Sequence, residues 1–156
     1  MHRSPTAPRY NAERCTLVLA MQEIENTMDP LAFNAARCVL ERHPGIDAAY
    51  LLGSAATGRL RPDSDADVAL LLRPGQKLSA LERLTLAAEL GTIFGRQADL
   101  GVLSAANLVY AKEVVAHGRL IFARDRTTAA RFAMHTLSMY AALQESRREV
   151  LRAYAA

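Results

Sequence analysis

The sequence predicts an α/β domain: a mixed sheet flanked by helices and ending in a long C-terminal helix. Two observations carry the architecture and a third places a site on it. Apolar runs of strand length, over residues 48–52, 65–72, 97–103 and 120–123, alternate with stretches patterned as helices, and that alternation builds a sheet with helices packed against it. A chain of 156 residues can bury a real core, about two-thirds of its unfolded surface, and no second substrate domain is expected in it. The third observation is a charge, Asp67, inside an otherwise apolar run, where burial without a partner would cost several kcal/mol.

Residues 1–28 are expected to form a partly flexible N-terminal extension, with a helix over 13–27, and 29–156 the folded domain. Asp29-Pro30 supplies an N-cap and a proline at the first helical position; Leu31, Ala35, Cys38 and Val39 then make an apolar stripe before Pro44-Gly45 stops the helix. A strand over 48–52 delivers Gly53-Ser54. The strand over 65–72 ends at Arg73-Pro74-Gly75, and Ser79-Ala80-Leu81-Glu82 is a capping box opening a helix to about Phe94, closed by Gly95. Over 97–103 the period of two sets Asp99 on one face and Ala98, Leu100 and Val102 on the other. Ser104 caps a helix over 105–117, ending in His117, which the helix dipole favours there as a structural residue. A short strand over 120–123 precedes a helix from Asp125 to Tyr154, with Phe132, Leu137, Tyr140 and Leu143 as core or interface positions and Arg147-Arg148-Glu149 as a solvated face.

The net charge of +3 and pI near 9.1 suit a polyanionic nucleotide or an acidic partner, but no basic stripe with interleaved aromatics announces direct nucleic-acid binding. No apolar run approaches the roughly 20 residues that span a bilayer, so no membrane association is expected and a cytoplasmic location is the default. Cys15 and Cys38 are too few and too far apart for a disulfide framework or a zinc site and are expected to be reduced, buried thiols.

Chemistry concentrates between Leu51 and Leu72. Asp65 and Asp67 are two apart at the start of a strand, so both carboxylates point to one face. Like charges that close raise each other's pKa unless a divalent cation screens them, and hard oxygen donors suit Mg²⁺ carried with substrate phosphates. Gly53-Ser54 ends the preceding strand, where a loop of small residues lets backbone N–H groups and a hydroxyl approach a phosphate. Other readings fit worse. Gly53 and Gly58 have P-loop spacing, but Arg59-Leu60 stands where the Lys and Ser/Thr belong. Asp63-x-Asp65-x-Asp67 opens like a calcium loop, yet Val68 replaces the turn glycine and Pro74 the bidentate Glu. A plain polar turn accounts for Asp63 and Ser64 and leaves Asp67 unexplained.

Gly53-Ser54, ten intervening residues, then Asp65-x-Asp67 resembles the signature of the nucleotidyltransferase superfamily that includes the palm of DNA polymerase beta. That family uses a third carboxylate on a later strand, and Asp99 stands in a suitable setting. The chain's length, the Arg-Pro-Asp-Ser-Asp approach at residues 61–65 and the segment Ala111 to Phe122 are similar to the minimal nucleotidyltransferases that act as antitoxins to HEPN-domain toxins. The resemblance implies a polymerase beta palm-like fold over 29–156, and Asp65 and Asp67 bridging two Mg²⁺ ions about 4 Å apart. It gives Asp99 the second ion and the acceptor's proton, and Gly53 and Ser54 the triphosphate of ATP. Arg59 and Arg61 fit equally as phosphate contacts or surface residues. For the acceptor it implies AMP transfer to a tyrosine of a cognate HEPN toxin, the two proteins forming a hetero-oligomer. An antibiotic-modifying nucleotidyltransferase and a non-catalytic antitoxin acting by binding are the alternatives.

Overall fold

The computed structural model describes residues 29–53 and 64–155. The N-terminal extension with its expected helix over 13–27, Cys15, Ser54, Arg59 and Arg61 lie outside the described residues.

Helix α1 (Pro30–Glu41) starts where Asp29 accepts a hydrogen bond from the Leu31 N–H at 3.0 Å, with proline in the first turn. Its buried face is Ala36, Val39 and Leu40, with Phe33 packed beside them. This corrects the expected stripe: Leu31 is 76% exposed, and Ala35 and Cys38 also face outward, so Cys38 is an exposed thiol rather than a buried one. Phe33, Ala36 and Leu40 also recur at helical spacing, and that stripe brings the bulkier apolar surface to the sheet.

The four strands are β1 (Ile46–Leu51), β2 (Ala66–Leu72), β3 (Ala98–Val102) and β4 (Arg119–Ala123), in the order β3-β2-β1-β4. β1 runs antiparallel to β2 and to β4, and β2 runs parallel to β3. All six residues of β1 are buried, as a central strand covered on both faces requires. β1 starts two residues before the expected position 48, because Ile46 is fully buried and extends the ladder to Leu72. β4 begins one residue early at Arg119, whose guanidinium lies 5.4 Å from the centre of the Phe33 ring.

Helix α2 (Ala80–Phe94) carries the capping box on both sides: the Ser79 hydroxyl accepts from the Glu82 N–H, and the Glu82 carboxylate accepts from the Ser79 N–H. Gly95 closes it at φ 65°, a left-handed conformation that costs glycine little. α1 and α2 cover one face of the sheet, where Leu40, Leu86 and Leu90 meet Ile46, Val68, Leu70, Leu100 and Ile121. The helix expected over 105–117 is divided. Ser104 caps only a single 3₁₀ turn (Ala105–Asn107), and Asn107, the last residue of that turn, then caps α3 (Leu108–His117), because its short polar side chain accepts from the Tyr110 N–H. His117 ends α3 as a surface residue paired with Glu113 at 3.0 Å, in keeping with the structural role expected. α3 and α4 (Arg126–Ala155) cover the second face, bringing Ala111, Val114 and Ala129 onto Ala48, Tyr50, Ala69 and Leu71. Of the four α4 positions singled out, Phe132 packs against this cluster and Tyr140 is half-buried under Lys112, while Leu137 and Leu143 are 45% and 36% exposed.

Replacing the fully buried Leu90 with alanine should cost about 2–5 kcal/mol in denaturant unfolding. Leu84→Ala on the same helix, where the side chain is 70% exposed, should stay within about 0.5 kcal/mol of the native value.

Candidate active site

The site forms where β2 and β3 run side by side. Their parallel register sets Asp67 directly beside Asp99, and adjacent strands lie about 4.8 Å apart. Both residues point to the face covered by α3 and α4, since Ala66, Val68, Ala98 and Leu100 alternate with them into the core under α1 and α2. Asp65 immediately precedes β2, two residues from Asp67. Its approach is held by Arg96, which donates to the Ser64 carbonyl at 3.0 Å, and by the Ala66 N–H, which donates to the Gln97 carbonyl at 2.8 Å.

Gly53 comes to the same place from β1. The Leu52 N–H donates to the Asp67 carbonyl at 2.9 Å, extending the β1–β2 ladder by one residue and laying Gly53 against the strand end. Gly53 has φ +66°, and a Cβ there would stand 3.5 Å from Asp67 Oδ2. A side chain at this position would be strained and would fill the space beside the carboxylate, so glycine keeps the backbone close to it. The structure thus brings together Gly53, Asp65, Asp67 and Asp99.

Electrostatics mark Asp67 as the centre of the group. Partial burial at the sheet surface, then the charge of Asp99, then that of Asp65, push its pKa up from the ordinary 3.8. Among the described residues no three His, Cys, Asp or Glu side chains close into a ready-made metal cage. The donors are nonetheless hard carboxylate oxygens whose mutual repulsion a divalent cation would relieve, which is the chemistry of a Mg²⁺ site shared with phosphate.

The sequence reading missed Tyr110. From the first turn of α3 its ring lies over Gly101, two residues along β3 from Asp99; a Cβ on Gly101 would collide with the phenol oxygen. Burial first, then the charges of Asp67 and Asp99, raise the Tyr110 pKa, so the phenol borders the carboxylates and stays protonated. The available signal was Gly101 itself, a glycine inside an apolar strand, which marks a close approach by another group.

Because folding raises the Asp67 pKa, its contribution to stability is fully present below the unfolded-state value and is lost as pH rises through the folded one. In metal-free buffer Asp67→Asn should therefore gain stability relative to the native chain as pH climbs from below 3.8 toward neutrality, measured as the difference between paired urea titrations.

The family model described as "Polymerase beta, Nucleotidyltransferase" matches residues 34–127, which span every strand and the Gly53 to Asp99 constellation. Over 108 residues the chain is 31% identical to Protein adenylyltransferase MntA of Shewanella oneidensis, covering 69% of this chain and 76% of that protein. It is similar, at 29% identity and TM-score 0.63, to a chain in the crystal structure of a toxin–antitoxin with AMP-PNP, covering 80% of this chain and 98% of that one. A rebuilt structure of tri-AMPylated Shewanella oneidensis HEPN toxin in complex with MNT antitoxin also matches, at 28% identity and TM-score 0.60 over 83% of this chain and 100% of the other. With the site residues brought together on the matched fold, the chain belongs to the polymerase beta nucleotidyltransferase family, in its minimal nucleotidyltransferase branch.

Proposed function

We propose that this chain is a Mg²⁺-dependent protein adenylyltransferase that moves AMP from ATP onto a tyrosine of a cognate HEPN toxin, acting as its antitoxin in the cytoplasm. The observation that carries the reading is the register pairing of Asp67 with Asp99, beside Asp65 and Gly53, on a nucleotidyltransferase fold. The relatives support the rest: one is named a protein adenylyltransferase, one similar structure holds AMP-PNP, and another contains an AMPylated HEPN toxin.

Asp65, Asp67 and Asp99 would hold Mg²⁺, which when bound neutralises triphosphate charge and makes a hydroxyl oxygen a better nucleophile. The chain's own groups do the rest. Gly53 offers a backbone free of side-chain bulk to the triphosphate, and we assign Ser54 to the same task. The acceptor tyrosine oxygen attacks the α-phosphorus, the bond from that phosphorus to the oxygen bridging to the β-phosphate breaks, and pyrophosphate leaves. The phenolic proton passes to an oxygen of the Asp99 carboxylate, which is exposed on β3. No covalent enzyme intermediate is needed, because positioning and charge neutralisation account for the rate.

Incubating the chain with its HEPN partner, Mg²⁺ and ATP labelled at the α-phosphate should label the partner, whereas ATP labelled at the γ-phosphate should not. Mass spectrometry should place AMP on a tyrosine. Asp67→Asn should slow transfer by about 100-fold or more while the fold persists. Near-native transfer by that variant, or efficient transfer to an aminoglycoside with none to the partner, would contradict the reading.

A further inference from the structure

Resting on this reading of the site, we propose that the acceptor protein docks by adding an extended segment to the outer edge of β3, which presents its tyrosine to Asp99. β3 pairs only with β2 among the described residues. The ladder fixes which backbone groups are committed. Gln97 accepts from the Ala66 N–H and the Leu103 N–H donates to the Leu70 carbonyl, each at 2.8 Å, so the odd-numbered residues 97 to 103 turn their backbone groups toward β2. Ala98, Leu100 and Val102 therefore direct their N–H and C=O groups outward.

Among the described residues one side chain bonds to that edge. Arg83 of α2 reaches up and donates to the Leu100 carbonyl at 2.5 Å. A single long, flexible arginine is a light cover for an edge strand, and rotating it away exposes a row of alternating donors and acceptors. Only another extended polypeptide offers the complementary row at matching spacing, so the chemistry of the edge selects a peptide segment as its occupant.

The surroundings fit the same occupant. Beneath the edge, on the α2 side of the sheet, runs an open groove of about 600 Å³ lined by Leu84, Ala88, Gly91, Thr92, Gln97 and Ala98. Leu81 and Leu84 stand 72% and 70% exposed on α2, and Val102 is 37% exposed at the end of β3. A strand laid along β3 points successive side chains to opposite faces. One set would enter this apolar groove and anchor the segment. The other would lie on the face that carries Asp99 and Asp67, where a residue opposite Asp99 would have its Cβ about 5 Å from that of the carboxylate. The same pairing thus supplies affinity from main chain and groove and alignment of a phenol with the carboxylate that takes its proton.

Two measurements test this. The first is residue-resolved amide hydrogen exchange of the native chain, alone and with its HEPN partner, in the presence of AMP-PNP. Exchange at Leu100 and Val102 should be fast in the chain alone and slow by about tenfold or more on adding the partner. Unchanged exchange with the partner overturns the proposal. So does slow exchange in the chain alone, which would mean that residues 1–28 or a second copy already occupies the edge. The second measurement uses Val102→Pro, which removes an outward N–H and leaves the β2 ladder bonds in place. It should retain AMP-PNP affinity and raise the KM for the partner by about tenfold or more, with little change in kcat. Native KM in this variant overturns the docking mode. Absence of AMP transfer by the native chain would instead refute the assigned activity, a result separate from either edge measurement.

Discussion

Two like charges held side by side on neighbouring strands are the constraint on which the rest of the structure depends. The parallel register of β2 on β3 puts Asp67 beside Asp99, and Asp65 adds a third carboxylate two residues upstream. Left to themselves these groups would separate. What holds them is the buried alternation beneath: Ala66, Val68, Leu70, Ala98 and Leu100 sit in one core with Leu86 and Leu90. Slipping either strand by one residue would turn that apolar set out of the core and send the carboxylates into it. The hydrophobic effect thus fixes an arrangement that electrostatics opposes, an opposition that a divalent cation would relieve.

The other elements serve that arrangement. β1 lies buried at the sheet centre and delivers Gly53 against Asp67, so the backbone of this glycine and the carboxylates meet at one strand end. Arg96 and Gln97, just after α2, tie the approach to Asp65 onto the start of β3. α3 brings Tyr110 over Gly101 and walls the site on the face opposite α1 and α2. Arg83 ties α2 to the edge of β3 that pairs with no other strand among the described residues, so helix packing, edge protection and the face carrying Asp99 are all connected through β3.

Much of this was legible in the sequence because the signals are local. The capping box at Ser79 and Glu82, the terminal Gly95, and the Asp29-Pro30 start each depend on residues within one helical turn, and each forms as read. Asp67 stood out as a charge in an apolar run, and the period of two placed Asp99 on the correct face. What failed depended on distant partners or on a contest between neighbouring caps. The buried face of α1 is chosen by the sheet beneath it, which takes Phe33, Ala36 and Leu40 and leaves Leu31 and Cys38 in solvent. Asn107 interrupts the helix after Ser104 by competing for the Tyr110 N–H, a contest between two adjacent caps that composition does not decide. Tyr110 itself lies outside the signature, and only its contact with Gly101 reveals it.

The central claim is that the carboxylate pair turns over AMP transfer and does not merely sit on a surface that blocks a partner. A carboxylate-to-amide change at Asp99 keeps the side-chain volume and removes the charge of an exposed residue of β3. The decisive measurement is a titration of the native chain and of Asp99→Asn against the ribonuclease activity of the HEPN partner, with and without ATP. The account predicts ATP-dependent protection by the native chain at ratios well below one to one, and by the variant only stoichiometric protection that does not depend on ATP. Equal, stoichiometric, ATP-independent protection by both proteins would contradict it.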